Sequence, residues 1–312
     1  MKKLLAALAT LSFIALAHAE PSVTLYGIAD FWVGNTHDKG ATTGSGGLAA
    51  SRWGLNGQED LGDGLLAGFV LEQVFDLASG ATPRGFNRQA YVSLAGDFGE
   101  LRLGNVLTPL DDINGSANSG GDSLVAAISG VWVGFNANPM RQLYYATPEW
   151  RGLGAAVSRS LDGQGGTAVT SVRVNYNEGP VYAGLAWQTD TQSNPGQTVR
   201  HVFVDGTYDL GLVKLLASAR RVTRPDSGAD HSRESQVGLE FPFNEALVVS
   251  TGYARSTDTS ADQQVARRQG YGLLLTYALS KRTALYGGLQ RNTETMKDTS
   301  GRLTAAGIHH TF

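Results

Sequence analysis

The chain has 312 residues, 17% of them charged, a net charge of −3 and a mean hydropathy of −0.14. So mild a balance gives no bulk attraction to nucleic acid. The absence of cysteine excludes disulfides and thiolate metal ligands as sources of stability. The 40 glycines follow no collagen-like period, and with only 9 prolines they do not mark a disordered tract.

At the N-terminus, Lys2 and Lys3 precede a run from Leu4 to Ala17 that is apolar apart from Thr10 and Ser12. Ala17-His18-Ala19 then supplies a small-x-small cleavage pattern, so residues 1–19 read as a secretory signal peptide and 20–312 as the mature protein. The run is short for a membrane anchor, which is the competing reading. Loss of Lys2 and Lys3 takes the net charge from −3 to −5. Beyond residue 20 no apolar stretch approaches the roughly 18 to 20 residues of a helical span. Strands cross a membrane with only about 9 to 11 residues each, and they leave a fainter trace.

That trace starts at once. In Val23 to Val33 every odd position is apolar or glycine, and the even positions include Thr24 and Asp30. Period two places the odd set on one face of a pleated strand and obliges the other face to tolerate polarity. The same pattern recurs where Phe69 and Leu71 alternate with Glu72, and where Val172 and Val174 alternate with Ser171, Arg173 and Asn175. It returns where Val237, Leu239 and Phe241 alternate with Gln236, Gly238 and Glu240. Sixteen segments result, with cores near 22–34, 51–59, 65–78, 87–96, 98–106, 139–148, 153–162, 168–178, 181–190, 198–209, 212–223, 233–243, 246–256, 267–278, 284–294 and 302–312.

Tight turns such as Asp60 to Gly64, Asp97 to Gly99, Asn177 to Pro180 and Asp209 to Gly211 alternate with long polar connections. The long ones run from Asn35 to Ala50, Leu107 to Pro139, Arg224 to Ser232 and Ser256 to Ala266. Short turns at one end and long loops at the other are the mark of a transmembrane barrel. An even number of antiparallel strands closes without a free edge, as hydrocarbon requires. Sixteen are also enough to leave a water-filled bore. The expected fold is therefore all-β, a 16-stranded antiparallel transmembrane β-barrel. A soluble sandwich or propeller would show a blade-length repeat or a fully exposed polar face, and neither is evident. The last strand carries Ala306, Ile308, His310 and Phe312 on one face, with Phe312 at the aromatic girdle.

The chain resembles the trimeric general porins of β-proteobacteria over essentially its whole mature length. The resemblance rests on Val23-Thr24-Leu25-Tyr26-Gly27, on Ser51-Arg52-Trp53-Gly54-Leu55-Asn56-Gly57 with Gln58 to Gly62, and on Asn87 to Leu94. It extends through Tyr277-Ala278-Leu279-Ser280-Lys281-Arg282-Thr283 to Gly307-Ile308-His309-His310-Thr311-Phe312. It implies an outer-membrane homotrimer with short periplasmic turns, long extracellular loops and a third loop, Leu107 to Pro139, folded into each pore. It also implies arginines on the barrel wall at Arg52, Arg88 and Arg141. Acid on the facing loop would be Asp111, Asp112 and Asp122, fewer than in the enterobacterial relatives, with Asn114 and Asn118 beside them. Phe312 takes the place of the terminal signal read by the barrel assembly machinery. Outer-membrane lipid and lipopolysaccharide are the surroundings such a barrel implies. Physical chemistry supports the placement of the arginines: each stays charged, and on the lipid face near mid-membrane each would cost about 2 to 4 kcal/mol. Scattered rim charges without a role are the plainer alternative.

Catalytic and metal-binding patterns are not apparent. His37, His201 and His231 are far apart in sequence, and His309 and His310 are adjacent, so their rings point to opposite faces of a strand. Gly62-Asp63-Gly64 is a turn, since no Gly-Lys-Ser/Thr follows. No cofactor or metal is expected, and no nucleic acid partner. The expected activity is passive diffusion of small hydrophilic solutes and ions, with a modest preference for anions. A solute-specific channel is the first alternative, because Tyr26, Trp32, Tyr182 and Tyr286 share the inward parity of their strands. A barrel enzyme or a plugged adhesive barrel is the second.

Overall fold

Alternation of apolar and polar residues yields strands that pair with their neighbours in sequence and finally with one another's ends. The computed structural model describes residues 22–83, 85–161, 168–191, 197–224, 229–295 and 299–312. The expected signal peptide lies outside the described residues. The chain forms β1 (Ser22–Thr36), β2 (Gly40–Ser45), β3 (Arg52–Gly62), β4 (Leu65–Val74), β5 (Gln89–Gly96) and β6 (Gly99–Asn105). A short helix, α1 (Pro109–Asn114), opens the third long loop. Then come β7 (Gln142–Ala146), β8 (Leu153–Ser160), β9 (Val169–Glu178), β10 (Val181–Asp190), β11 (Val199–Asp209) and β12 (Lys214–Thr223). The series ends with β13 (His231–Pro242), β14 (Leu247–Ser260), β15 (Gln263–Ala278), β16 (Thr283–Glu294) and β17 (Thr299–Thr311).

Every pairing is antiparallel, and β1 pairs with β17, so the sheet closes. The 17 segments fill sixteen positions, because β2 and β3 share one side of β1. Phe31 to Thr36 pair with β2, and Ser22 to Ile28 pair with β3. The expected sixteen-stranded barrel is thus what forms. Two of the expected long loops are shorter than the sequence implied. The connection after Asn35 contains β2, and β14 and β15 run on as a hairpin to a tight turn at Ala261 and Asp262, both at positive φ. These extensions are rich in threonine and lack hydrophobic alternation, because beyond the bilayer neither face of a strand needs to be apolar.

The barrel is inside out relative to a soluble protein. Outward Val23, Leu25 and Val33 are about half exposed or more, whereas Asp30 on the other face of β1 is fully buried. Asp30 explains the break between β2 and β3. Its carboxylate accepts from the Gly47 and Leu48 amides at 2.7 and 2.9 Å, from the Tyr286 hydroxyl at 2.6 Å, and lies 3.0 Å from His309 Nδ1. Ser51 Oγ bonds the Asp30 backbone as well. Charge-assisted bonds of this kind are the strong ones, so the chain at 46–51 folds inward around the carboxylate instead of continuing as strand.

Closure extends past β17. The Phe312 amide donates to the Gly27 carbonyl at 3.1 Å, and the Gly27 amide donates to the Phe312 carbonyl at 3.0 Å. The Phe312 ring lies over Gly27, where an added Cβ would stand 2.4 Å from the ring carbon Cζ. Gly27→Val should therefore cost about 1 to 3 kcal/mol of overpacking at the seam. Its heat-resistant form in detergent should melt below wild type. Gly287→Ala is the control, since its Cβ would meet nothing nearer than 3.7 Å. Equal melting of both variants and the parent would disprove this account of the closure.

Candidate pore constriction

The loop between β6 and β7 turns inward and follows the barrel wall. Thr108 caps α1, its hydroxyl accepting from the Asp111 amide at 3.3 Å, and Pro109 suits the first helical position. Leu110 and Ile113 on the wall side of α1 pack with Ala186 and Phe203. The Leu110 amide donates to Ser171 Oγ at 3.1 Å.

Past α1 the chain lies in a trough of inward-facing glycines. Gly238, Gly252 and Gly272 are directly opposite one another across β13, β14 and β15. A Cβ on Gly238 would stand 2.3 Å from Ser119 Cβ, and one on Gly272 would stand 2.4 Å from the Val125 carbonyl oxygen. Gly270 meets the Ala127 carbonyl in the same way. Absence of side chains at these positions is what lets loop backbone rest on sheet backbone. Polar wall residues hold the loop's carbonyls: Gln290 Nε2 reaches Ser129 O at 2.8 Å, and Arg268 Nε reaches Val131 O at 2.8 Å.

The turn of the loop is held by an ion pair beneath it. Arg220 Nε lies 2.6 Å from Glu234 Oε2, and both side chains are almost fully buried. Glu234 Oε1 accepts from the Val133 amide at 2.6 Å, and Arg220 donates to the Val133 carbonyl. Trp132 and Phe135 cover the guanidinium with ring centroids 5.2 and 5.7 Å from Cζ. The returning limb bonds Gln188 through Asn136 O at 2.9 Å, and Asn138 donates to Asn87 O at 2.9 Å.

With the loop seated along β9 to β16, its free face looks toward the wall of β1 and β3 to β6. That wall is basic. Arg52 Nε lies 3.4 Å from Glu72 Oε2, Arg88 pairs with Glu72 Oε1, and the Tyr26 hydroxyl donates to Glu72 at 3.1 Å. Further round, Arg102 bonds Glu100 at 2.7 Å and lies over the rings of Tyr91 and Tyr144. Arg173 Nε lies 2.9 Å from Asp112 Oδ2, which also accepts from the Tyr144 hydroxyl at 2.6 Å.

Of the residues singled out in the sequence, Arg52 and Arg88 meet on one carboxylate. Asp111 and Asp122 lie on the facing loop, with Asp122 close enough to act electrostatically on Arg52 and Asp111 close enough to feel Arg88. Asp112 is held by Arg173 and Tyr144 instead of facing the first two arginines. Arg141 is not brought to this group. It is exposed, at a φ of 56° just before β7, while the next residues of that strand that turn inward are Gln142 and Tyr144. Glu72, Arg102, Arg173 and the Arg220–Glu234 pair carry the site equally and were missed as site residues. Their signal was inward parity within their strands. Three of the four inward aromatics are occupied otherwise: Tyr286 and Trp32 pack around Val125, and Tyr182 packs against the Leu110 cluster.

Burial, with the neighbouring Asp122 and then Asp112 adding to it, pushes the Asp111 carboxyl up to about 6 against the pull of Arg88. The described residues hold no group of three or more metal-ligating side chains. Opposed charges across a wet gap can orient and sort ions.

A closed barrel with an apolar outer band, a charged interior and a loop narrowing the bore defines a transmembrane diffusion channel. The family model described as Gram-negative porin matches residues 5–297. Outer membrane porin protein 32 of Delftia acidovorans is 33% identical, covering 93% of this chain and 89% of its own. An outer membrane porin protein of Bordetella pertussis is 31% identical over the whole of both chains. Among solved structures, the anion-selective porin from Comamonas acidovorans superposes with a TM-score of 0.84 at 26% identity, over 94% of this chain and 100% of that one. The chain belongs to the Gram-negative porin family, and it is an outer-membrane channel and not an enzyme.

The raised Asp111 value gives a pH dependence with a definite sign. As pH falls through about 6, Asp111 gains a proton and the loop loses a negative charge. Anion preference, read as zero-current potential in a KCl gradient, should therefore rise between pH 7.5 and pH 5. One charge at constriction distance shifts the permeability ratio by about two- to fivefold before screening. Asp111→Asn should show the low-pH value throughout, and a variant that titrates like the parent would exclude Asp111 as the cause.

Proposed function

We propose that the pore passes small hydrophilic solutes and ions by passive diffusion with a modest preference for anions. The observation that carries this reading is that Arg52 and Arg88 share the single carboxylate Glu72, leaving positive charge on the wall at the narrowing. The facing loop offsets it weakly, because burial raises the Asp111 carboxyl above its ordinary value and Asp112 is already bound by Arg173. The similar Comamonas acidovorans porin is anion-selective, which supports the same direction. Arg52 and Arg88 are the basic side of the constriction, and Asp111 and Asp122 the acidic side. Arg141, expected as a third wall arginine, belongs in this scheme as a rim charge.

The functional unit in this reading is a homotrimer, assembled with Phe312 as the terminal signal of the barrel assembly machinery and surrounded by outer-membrane lipid and lipopolysaccharide. A trimer form is named for a Vibrio cholerae barrel with a TM-score of 0.72, a likeness that concerns the fold. The solute-specific alternative needs a track of free aromatics, and Trp32, Tyr182 and Tyr286 are committed to loop packing.

The test is a planar bilayer carrying Arg52→Ser/Arg88→Ser beside wild type and Arg141→Ser. The double variant should move the zero-current potential in a KCl gradient toward cations. Arg141→Ser should move it by much less, since charges beyond a Debye length of about 8 Å are screened at physiological salt. A double variant with the wild-type potential would remove these arginines from the selectivity mechanism.

A further inference from the structure

Six carboxylates are buried among the described residues, Asp30, Glu72, Asp190, Asp205, Glu234 and Asp258, and all but one are met by a partner. Asp30 accepts from two amides and the Tyr286 hydroxyl, Glu72 holds Arg52 and Arg88, and Glu234 holds Arg220. Asp258 lies 2.9 Å from Arg268, and Asp190 is close enough to His201 to act on it. Asp205 is the exception. It is 4% exposed, and neither of its carboxylate oxygens is hydrogen-bonded. Burying a lone ion is costly, and buried charges are ordinarily paired or bound to a metal.

Asp205 faces inward from the middle of β11. Directly opposite it are Gly184 on β10 and Ser218 on β12, neither of them charged. Arg220, one inward row away on β12, is committed to Glu234, and Arg173 on β9 is committed to Asp112. Gly184 is what lets oxygens gather here. A Cβ on it would stand 2.3 Å from Asp205 Oδ1, 2.8 Å from the Tyr182 hydroxyl oxygen and 3.0 Å from Ile113 Cδ1 of α1. The Tyr182 hydroxyl is itself buried without a hydrogen-bond partner, and it lies close to both Asp205 and Ser116. Ser218 Oγ meets Asn118 Oδ1 at 3.1 Å, which keeps the segment after α1 over this part of the wall. Ser116 is exposed, so the spot can be reached from the bore.

We propose that Asp205, with the hydroxyls of Tyr182 and Ser116, is a site for a hard divalent cation of the calcium class, lodged between the end of α1 and the wall of β10 and β11. Such ions take oxygen donors at about 2.3 to 2.6 Å and accept water in the remaining positions. A single carboxylate gives a low charge count, which places the affinity at about 10⁻⁴ to 10⁻³ M. The donors other than Asp205 are hydroxyls, so the site does not gather the several acids or histidines that mark most metal centres. The bound ion would neutralise the one unmet buried carboxylate and tie the first limb of the loop to the wall, as the Arg220–Glu234 pair ties the second. It takes no part in the proposed ion preference, whose charges are Arg52 and Arg88.

The experiment titrates delipidated, EDTA-treated protein in detergent with calcium chloride. The melting temperature of the heat-resistant form should rise, with its midpoint at about 10⁻⁴ to 10⁻³ M, and native mass spectrometry should show calcium on each chain. Potassium chloride at matched ionic strength should give no such rise. Asp205→Asn should lose both effects, and in EDTA it should melt above wild type because no buried ion is left alone. Tyr182→Phe, which keeps the carboxylate and the ring, should need about three- to tenfold more calcium. Asp111→Asn/Asp122→Asn should respond to calcium as wild type does. A wild type indifferent to calcium, an equal response to potassium, or a response that survives Asp205→Asn would each overturn the proposal. So would loss of the response in the loop double variant, or an Asp205→Asn protein that melts below wild type in EDTA. Zero-current potentials of the same preparations report separately on Arg52 and Arg88, so failure of the cation site and failure of the selectivity reading are distinguished.

Discussion

A barrel of sixteen strand positions is too wide to sort ions until a segment of chain is fixed across it, and here the fixing depends on one buried ion pair. Glu234 holds both Arg220 and the Val133 amide, while Arg220 holds the Val133 carbonyl under the rings of Trp132 and Phe135. Burial of two ions is costly, and the cost is offset only where geometry is good and the remaining donors and acceptors are met. The Val133 peptide meets them. The same bonds that make the pair tolerable attach the loop to the wall at Val133, so loss of the pair frees the turn of the loop at that point.

From that anchor the rest of the site follows. The glycines of β13 to β16 remove the side chains that would keep loop and wall apart, and the Leu110 cluster seats the helical end. Because the loop takes one side of the lumen, the open passage is confined to the other, where Arg52, Arg88 and Arg102 project. Carboxylates there number fewer than arginines, and one loop acid is raised toward neutrality by its own burial. Selectivity in this arrangement comes from fixed charges in a narrow wet gap, where fields are screened less than on the open rim.

Much of this was legible in the sequence because the barrel imposes a single rule along its length. Period two must hold wherever one face meets lipid, so strand number and face assignment could be read directly, while the wall positions of Arg52 and Arg88 came from the resemblance and from the cost of a charge facing lipid. The rule lapses outside the bilayer, which is why β2 and the long β14–β15 hairpin read as loops. It also says nothing about what lies against the inward face. Gly238, Gly252 and Gly272 look like weak strand residues until the loop is seen resting on them. Glu234 and Arg220 look like ordinary lumen charges until Val133 is found between them. Arg141 was placed on the wall by resemblance, but it precedes its strand in left-handed backbone, where strand parity no longer governs the side chain.

The most direct test of the central claim is single-channel conductance across the double-mutant cycle of Glu234→Ala, Arg220→Ala and the double variant. Loss of either partner should cost about 3 to 5 kcal/mol at a buried pair. Both single variants should keep the barrel, as judged by heat-modifiable mobility, and show altered conductance with added flicker from a loosened loop. The double variant should melt higher than Glu234→Ala, since no buried charge is left alone, yet it should keep the abnormal conductance because Val133 is still unheld. Wild-type conductance and quiet open states in both single variants would contradict the account, showing that the loop is held across the bore without this ion pair.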